Sequence, residues 1–282
     1  MSYTMSVSLV GPLDAITTVD AIGDDVRCRE DLVAGEWPDR AVHVYRVGRS
    51  TRGVELLRRG GELGVRMVAC ANEADWELAF ALLERLNASP IAGEDGTCVA
   101  LADARSGFAE VVARETAAAI STLHALIDQG EEIELEGVTR TVYFGSRMLS
   151  GIGREPGALL ERIRRIQYIV DEGFEPVAPE DLAAMMGLPE PLELSVWDPD
   201  VAQVFAPTSL VALRTPTLYV PVDALPAVVG PRFAWLDERQ FTIAAIPADE
   251  RPALVERATR AAVDPYAKIR AYETKKWWQF WR

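Results

Sequence analysis

Histidine is the side chain that most readily takes up and releases a proton near neutral pH. The sequence holds two, His43 and His124. His43 stands in the alternating run "AVHVYRV", and His124 beside the apolar stripe of "SGFAEVVARETAAAISTLHALIDQG". Both contexts predict packed or surface imidazoles rather than a general base, and the cysteines add no metal-site spacing. Ser146 and Ser150 lie in "YFGSRMLSGIG", outside the G-x-S-x-G pattern that presents a serine nucleophile on a strand-to-helix turn. Carboxylates are plentiful, as in Asp24-Asp25, Glu131-Glu132 and Asp237-Glu238. Two of them brought together would make an acid/base pair, while the same residues on a surface would simply be solvated. No glycine-rich phosphate loop is present, and no cofactor is expected.

One stretch carries anion chemistry. In "GRSTRG", Gly48 to Gly53, residues Arg49, Ser50, Thr51 and Arg52 and the turn amides could hold an anion. The same residues are also the ordinary composition of a polar hairpin turn, so both readings stand. In "ERIRRIQ", Arg162, Arg164 and Arg165 are read as partners for the many acids.

A net charge of −14 repels phosphate, which argues against nucleic acid and against an anionic membrane surface. The acidic excess serves solubility or faces a basic protein partner. Cys28, Cys70 and Cys98 are odd in number and far apart, the pattern of reduced thiols in a cytoplasmic protein. The opening "MSYTMSVSLVGPLDAI" has no basic n-region, so no secretory signal is expected. No apolar run reaches the ~20 residues of a membrane span.

The last eight residues, "KKWWQFWR", are mostly aromatic and basic. Asp264 and Pro265 supply a helix start, and Tyr266, Ile269, Trp277, Phe280 and Trp281 then fall within one arc. Burying one such side chain is worth roughly 1.5–3 kcal/mol. Lys275, Lys276, Trp277, Trp278, Phe280 and Trp281 are therefore expected to dock on the body, in another protein's groove, or in a membrane interface.

The elements that would position these residues follow from periodicity. "SVSLV", "AVHVYRV", "RGVELL" and "GELGVRMVAC" read as strands, the last three as a meander. "NEADWELAFALLERL" predicts a helix capped by Asn72, with Trp76, Phe80, Leu83 and Leu86 on one face. "GTCVALAD" reads as a strand. A long helix follows, with Phe108, Val112, Ala119, Leu123 and Leu126 on its stripe and Gly130 at its C-terminal cap. "EEIELEGVTRTVYFG" reads as a hairpin. "PGALLERIRRIQYIVDEG" predicts a helix with Leu159, Ile163, Ile166 and Val170 inward, and "PEDLAAMMG" a short one. "LELSVW", "SLVALR", "TLYVPV", "FAWLD" and "FTIAAI" read as strands, and "DERPALVERATRAAV" as a helix. Strands and helices mix without strict βαβ alternation, which predicts an α+β fold with mainly antiparallel sheets. The expected division is an N-terminal domain 1–150, a C-terminal domain 151–263 and the tail 264–282.

Three stretches, "YRVGRSTRGVEL", "ADWELAFALLERL" and "PVDALP…WLDERQFTI", together resemble an uncharacterised bacterial protein family of unknown function. The resemblance implies a bacterial source and carries over no functional residue. The expected function is a non-catalytic cytoplasmic protein-binding module, in one concrete form an immunity or inhibitor protein facing a basic partner. Its alternatives are a hydrolase or transferase whose Asp, Glu and Arg residues the fold assembles, and a peripheral membrane or assembly-associated protein acting through its tail.

Overall fold

Alternation of side chains decides the first sheet. In β3 (Val42–Arg46) and β4 (Val54–Arg59), Val42, Val44, Val54 and Leu56 are fully buried. Their neighbours His43, Tyr45 and Glu55 occupy the opposite face, as period two requires. β5 (Glu62–Val68) continues the pattern with Leu63, Val65 and Met67 inward. The computed structural model describes residues 2–8, 15–20, 22–33, 37–86, 90–93, 97–150, 155–181 and 192–265. Within these the chain divides into two compact units, Met1–Tyr168 and Ile169–Arg282.

The first unit is built on a seven-stranded antiparallel sheet. With β1 (Ser2–Ser8), β2 (Val26–Cys28), β6 (Ile91–Ala92) and β7 (Cys98–Val99), its order is β2-β3-β4-β5-β1-β6-β7. The apolar face carries α2 (Glu73–Arg85), whose Trp76, Leu78, Phe80, Leu82 and Leu83 join the strand valines and leucines in one core. Asn72 caps this helix. Its side-chain oxygen accepts the Asp75 amide at 3.1 Å, and the Asp75 carboxylate accepts the Asn72 amide at 3.0 Å, a reciprocal capping box. A short helix α1 (Ala15–Asp20) precedes β2, and α3 (Leu101–Ser106), α4 (Phe108–Asp128), the hairpin β8 (Ile133–Leu135) with β9 (Val142–Phe144), α5 (Ser146–Ser150) and α6 (Pro156–Gln167) complete the unit.

The second unit holds two four-stranded sheets. One is ordered β10 (Glu175–Val177), β13 (Gln203–Phe205), β17 (Phe241–Ile243), β16 (Phe233–Trp235); the other β11 (Glu180–Asp181), β12 (Glu193–Trp197), β14 (Leu210–Leu213), β15 (Leu218–Pro221). Two of their pairings, β10 with β13 and β12 with β14, are parallel, and the rest are antiparallel. Helices α7 (Leu225–Val229) and α8 (Arg251–Ala261) pack Leu225, Val228, Val229, Leu254 and Ala258 into a core with Trp197, Phe205 and Phe241. The fold is α+β with mostly antiparallel sheets.

Local differences from the expected elements have plain causes. In "GTCVALAD" only Cys98–Val99 is a strand, and Leu101 already begins α3. On α4 the buried arc is Thr116, Ala119, Ile120, Leu123 and Ile127, which leaves Leu126 37% exposed beside it. α6 stops at Gln167 and a 3₁₀ turn follows, so Val170 leaves the helical stripe and is 43% exposed. Of "PEDLAAMMG", Glu180–Asp181 form a strand and the remainder lies outside the described residues. The first unit runs on past residue 150 to take in α6, whose Leu159, Ile163 and Ile166 are buried. No described helix is long and apolar enough to cross a membrane.

Candidate functional site

The polar face of the first sheet is an ordered row of charges. Register places His43 opposite Glu55, and Glu55 opposite Arg66. Arg66 donates to Glu55 at 2.9 Å. The His43 ring lies between two carboxylates, with Nδ1 2.6 Å from Glu30 and Nε2 3.1 Å from Glu55. The other Glu30 oxygen accepts the His43 amide at 2.7 Å and the Cys28 thiol at 3.3 Å.

Between two ionised carboxylates the ring pairs both nitrogens as the imidazolium, where both donate. Accordingly the hydrogen bond to Glu55 raises His43 above its ordinary 6.5, helped by Glu30 and opposed by burial. The hydrogen bond from His43 holds Glu55 below its ordinary 4.5. Burial pushes Glu30 up, but hydrogen bonds from the His43 backbone and ring and from Cys28 more than offset it.

These shifts set a pH window. The carboxylate contributions are in place above 4.5 and are lost as pH falls through the lowered values. The His43 contribution is complete below 6.5 and is lost as pH rises through the raised value. The urea midpoint is therefore expected to be higher at about pH 6 than at about pH 9, and His43→Gln is expected to shrink that difference. An unchanged difference in the variant would show that the clamp is not its source.

The turn Arg49, Ser50, Thr51, Arg52 joins β3 to β4 beside this row. Its amides already face an anion, the chain's own Asp75. The amides of Thr51, Arg52 and Gly53 donate to the Asp75 carboxylate at 3.2, 3.1 and 2.9 Å. The Thr51 hydroxyl lies 2.9 Å from it and 2.7 Å from the Cys70 carbonyl. Ser50, Thr51 and Asp75 are fully buried. Gly53 has φ +68°, and a Cβ there would stand 2.6 Å from the Val44 carbonyl oxygen, so only glycine fits. Arg49 turns outward to Glu77 at 3.1 Å. The structure thus splits the four turn residues into a buried strap and two arginines with different surroundings.

Arg52 faces a small cleft lined by Arg29, His43, Tyr45, Glu55, Val68 and the turn 136–138 between β8 and β9. That turn is held by Gln167 at the end of α6. The Gln167 side-chain oxygen accepts the amides of Thr139 and Arg140 at 2.9 and 3.1 Å, and its nitrogen donates to the Arg140 carbonyl at 2.9 Å. A Cβ on Gly137 would collide with this amide at 2.2 Å, so glycine is what allows the contact. Arg29 and Glu136 form an ion pair at 2.5 Å, half exposed to solvent.

Of the other residues singled out, Asp25 pairs with Arg46 at 2.8 Å. Arg164 donates to Glu161 and to the Gly48 carbonyl, and the Ser150 hydroxyl donates to the Arg147 carbonyl. Asp237 is buried and accepts the amides of Arg239 and Gln240 and the Gln240 side chain. His124 is half-buried on α4. Lys275, Lys276, Trp277, Trp278, Phe280 and Trp281 lie outside the described residues. Glu30, Glu55 and Asp75 were not singled out by sequence reasoning. Glu55 follows from strand register, and Asp75 from the N-x-x-D capping pattern; Glu30, thirteen residues before His43, has no local signal.

The profile of a family described as a domain of unknown function (DUF4299) matches residues 16–170, which takes in strands β2 to β7 of this sheet, the cleft and α6 but not β1. The chain belongs to that family. No curated protein and no solved structure matches it.

Proposed function

We propose that this chain is a non-catalytic protein-binding module of the bacterial cytoplasm, of immunity or inhibitor type, meeting its partner through its acidic surface or the segment 275–282. One observation carries the non-catalytic part: the ionisable side chains His43, Glu30 and Glu55 are already engaged with one another. His43 has both nitrogens held by carboxylates, so neither is free to take a proton from a substrate. Cys28, which donates to Glu30, has its thiol pushed up to about 12, chiefly by burial, with the Glu30 carboxylate adding to the rise and backbone hydrogen bonds opposing it. Burial likewise raises Cys70 to about 11. A thiol of this kind is not the thiolate that reacts at neutral pH.

Alkylation tests the reading directly. Iodoacetamide at neutral pH is expected to modify exposed Cys98 well before Cys28 or Cys70, as followed by peptide mass spectrometry. Cys28 reacting first would reveal an activated nucleophile beside Glu30 and count against the non-catalytic reading.

A further inference from the structure

The Arg52 guanidinium is the one cation of the cleft lining whose donors are left over. Its Nε and Nη1 are buried and have no hydrogen-bond partner among the described residues. The acids within electrostatic reach, Asp75, Glu55 and Glu136, are committed elsewhere. Asp75 is taken by backbone amides, Glu55 by His43 and Arg66, and Glu136 by Arg29. Burial accordingly pushes the Arg52 guanidinium below its ordinary range, against the pull of these acids. Unsatisfied buried donors on a charged group are costly and mark a place where something polar belongs.

We propose that the cleft between the polar sheet face and the 136–138 turn is a receptor for a single carboxylate group, which ion-pairs with Arg52. Nε and Nη1 lie on different edges of the guanidinium plane, so a single carboxylate meets one of the two donors, and the cleft is small. Glu55 and Glu136 in its wall disfavour a more highly charged ligand such as phosphate. Tyr45 and Val68 offer the apolar edge on which the methylenes of an acidic side chain or a short acid can rest. This deepens the binding-module reading and rests on it: the partner's contact is a carboxylate, a local exception on an otherwise acidic protein.

The test follows the Arg52 Nε–H resonance of the full chain by NMR. Acetate, and separately a short end-blocked peptide with one glutamate, replace chloride at constant ionic strength. A saturable shift with either probe is expected. The tighter probe tells whether the natural carboxylate is free or belongs to a partner protein. Arg52→Gln is expected to abolish saturable shifts at the Gly53 and Glu55 amides. Glu136→Gln, made in an Arg29→Gln background so that no second guanidinium is freed, removes a competing charge from an exposed side chain and is expected to tighten acetate binding about threefold, so it decides the matter should Arg52→Gln not fold. The proposal is overturned if the resonance responds only linearly, if phosphate or chloride competes equally, or if Glu136→Gln leaves affinity unchanged. Such a failure is separate from that of the non-catalytic reading, which the Cys28 alkylation result tests.

Discussion

Replacing Asp75 by alanine is expected to cost about 4 kcal/mol of stability, enough to unfold a marginal domain. The carboxylate accepts the backbone amides of Thr51, Arg52, Gly53 and Asn72 in a site closed to solvent. Each buried amide left without an acceptor costs about 1–3 kcal/mol, and partial entry of water brings the total below the simple sum. Asp75→Asn keeps one carbonyl oxygen and is expected to lose roughly half as much. Urea titration of both variants reads the effect. A loss under about 1 kcal/mol for the alanine variant would mean that the strap is dispensable.

Phe241→Ala is the second large effect. The Phe241 ring is fully buried, stacked on Phe205 at 4.7 Å and on Phe233 at 5.3 Å, with the Trp235 edge at 5.6 Å. Removing it deletes the centre of the aromatic cluster and leaves a cavity, at a cost of about 3–5 kcal/mol. Amide hydrogen exchange in β13 and β17 is expected to accelerate by about a hundredfold or more if those strands open with the second unit's core. Phe241→Leu, which refills part of the space, is expected to recover much of the protection. Equal exchange in the two variants would place the weight of this core elsewhere.

Where burial alternates cleanly, the sequence already contained the answer. "AVHVYRV", "RGVELL" and "GELGVRMVAC" fold as the predicted meander because Val42, Val44, Val54, Leu56, Leu63, Val65 and Met67 all need one face. Asn72 caps α2 as its position suggests, and Gly130 with φ +85° ends α4. Some short strands escaped, although β8, β9, β16 and β17, equally short, were read correctly. β2, β10 and β13 have three residues each, too few for a period to show, and tertiary pairing alone defines them. The candidate site was half visible. "GRSTRG" announced a turn with amides suited to an anion, but its anion comes from Asp75, 22 to 24 residues away, a distance that local pattern does not span. His43 reads as an ordinary strand residue until Glu30 arrives from beyond β2. The cleft is thus a product of long-range closure, and chemistry-bearing residue types gave no notice of it.

The grip of Gln167 on Thr139, Arg140 and Gly137 bears on any dissection of the gene. A fragment cut after residue 150 would retain all seven strands of the large sheet and yet shed the clasp that shapes one bank of the Arg52 cleft. Expression boundaries chosen from the sheet alone would then yield a soluble-looking but blunted domain. Boundaries extended through Tyr168 keep the recess and its latch together.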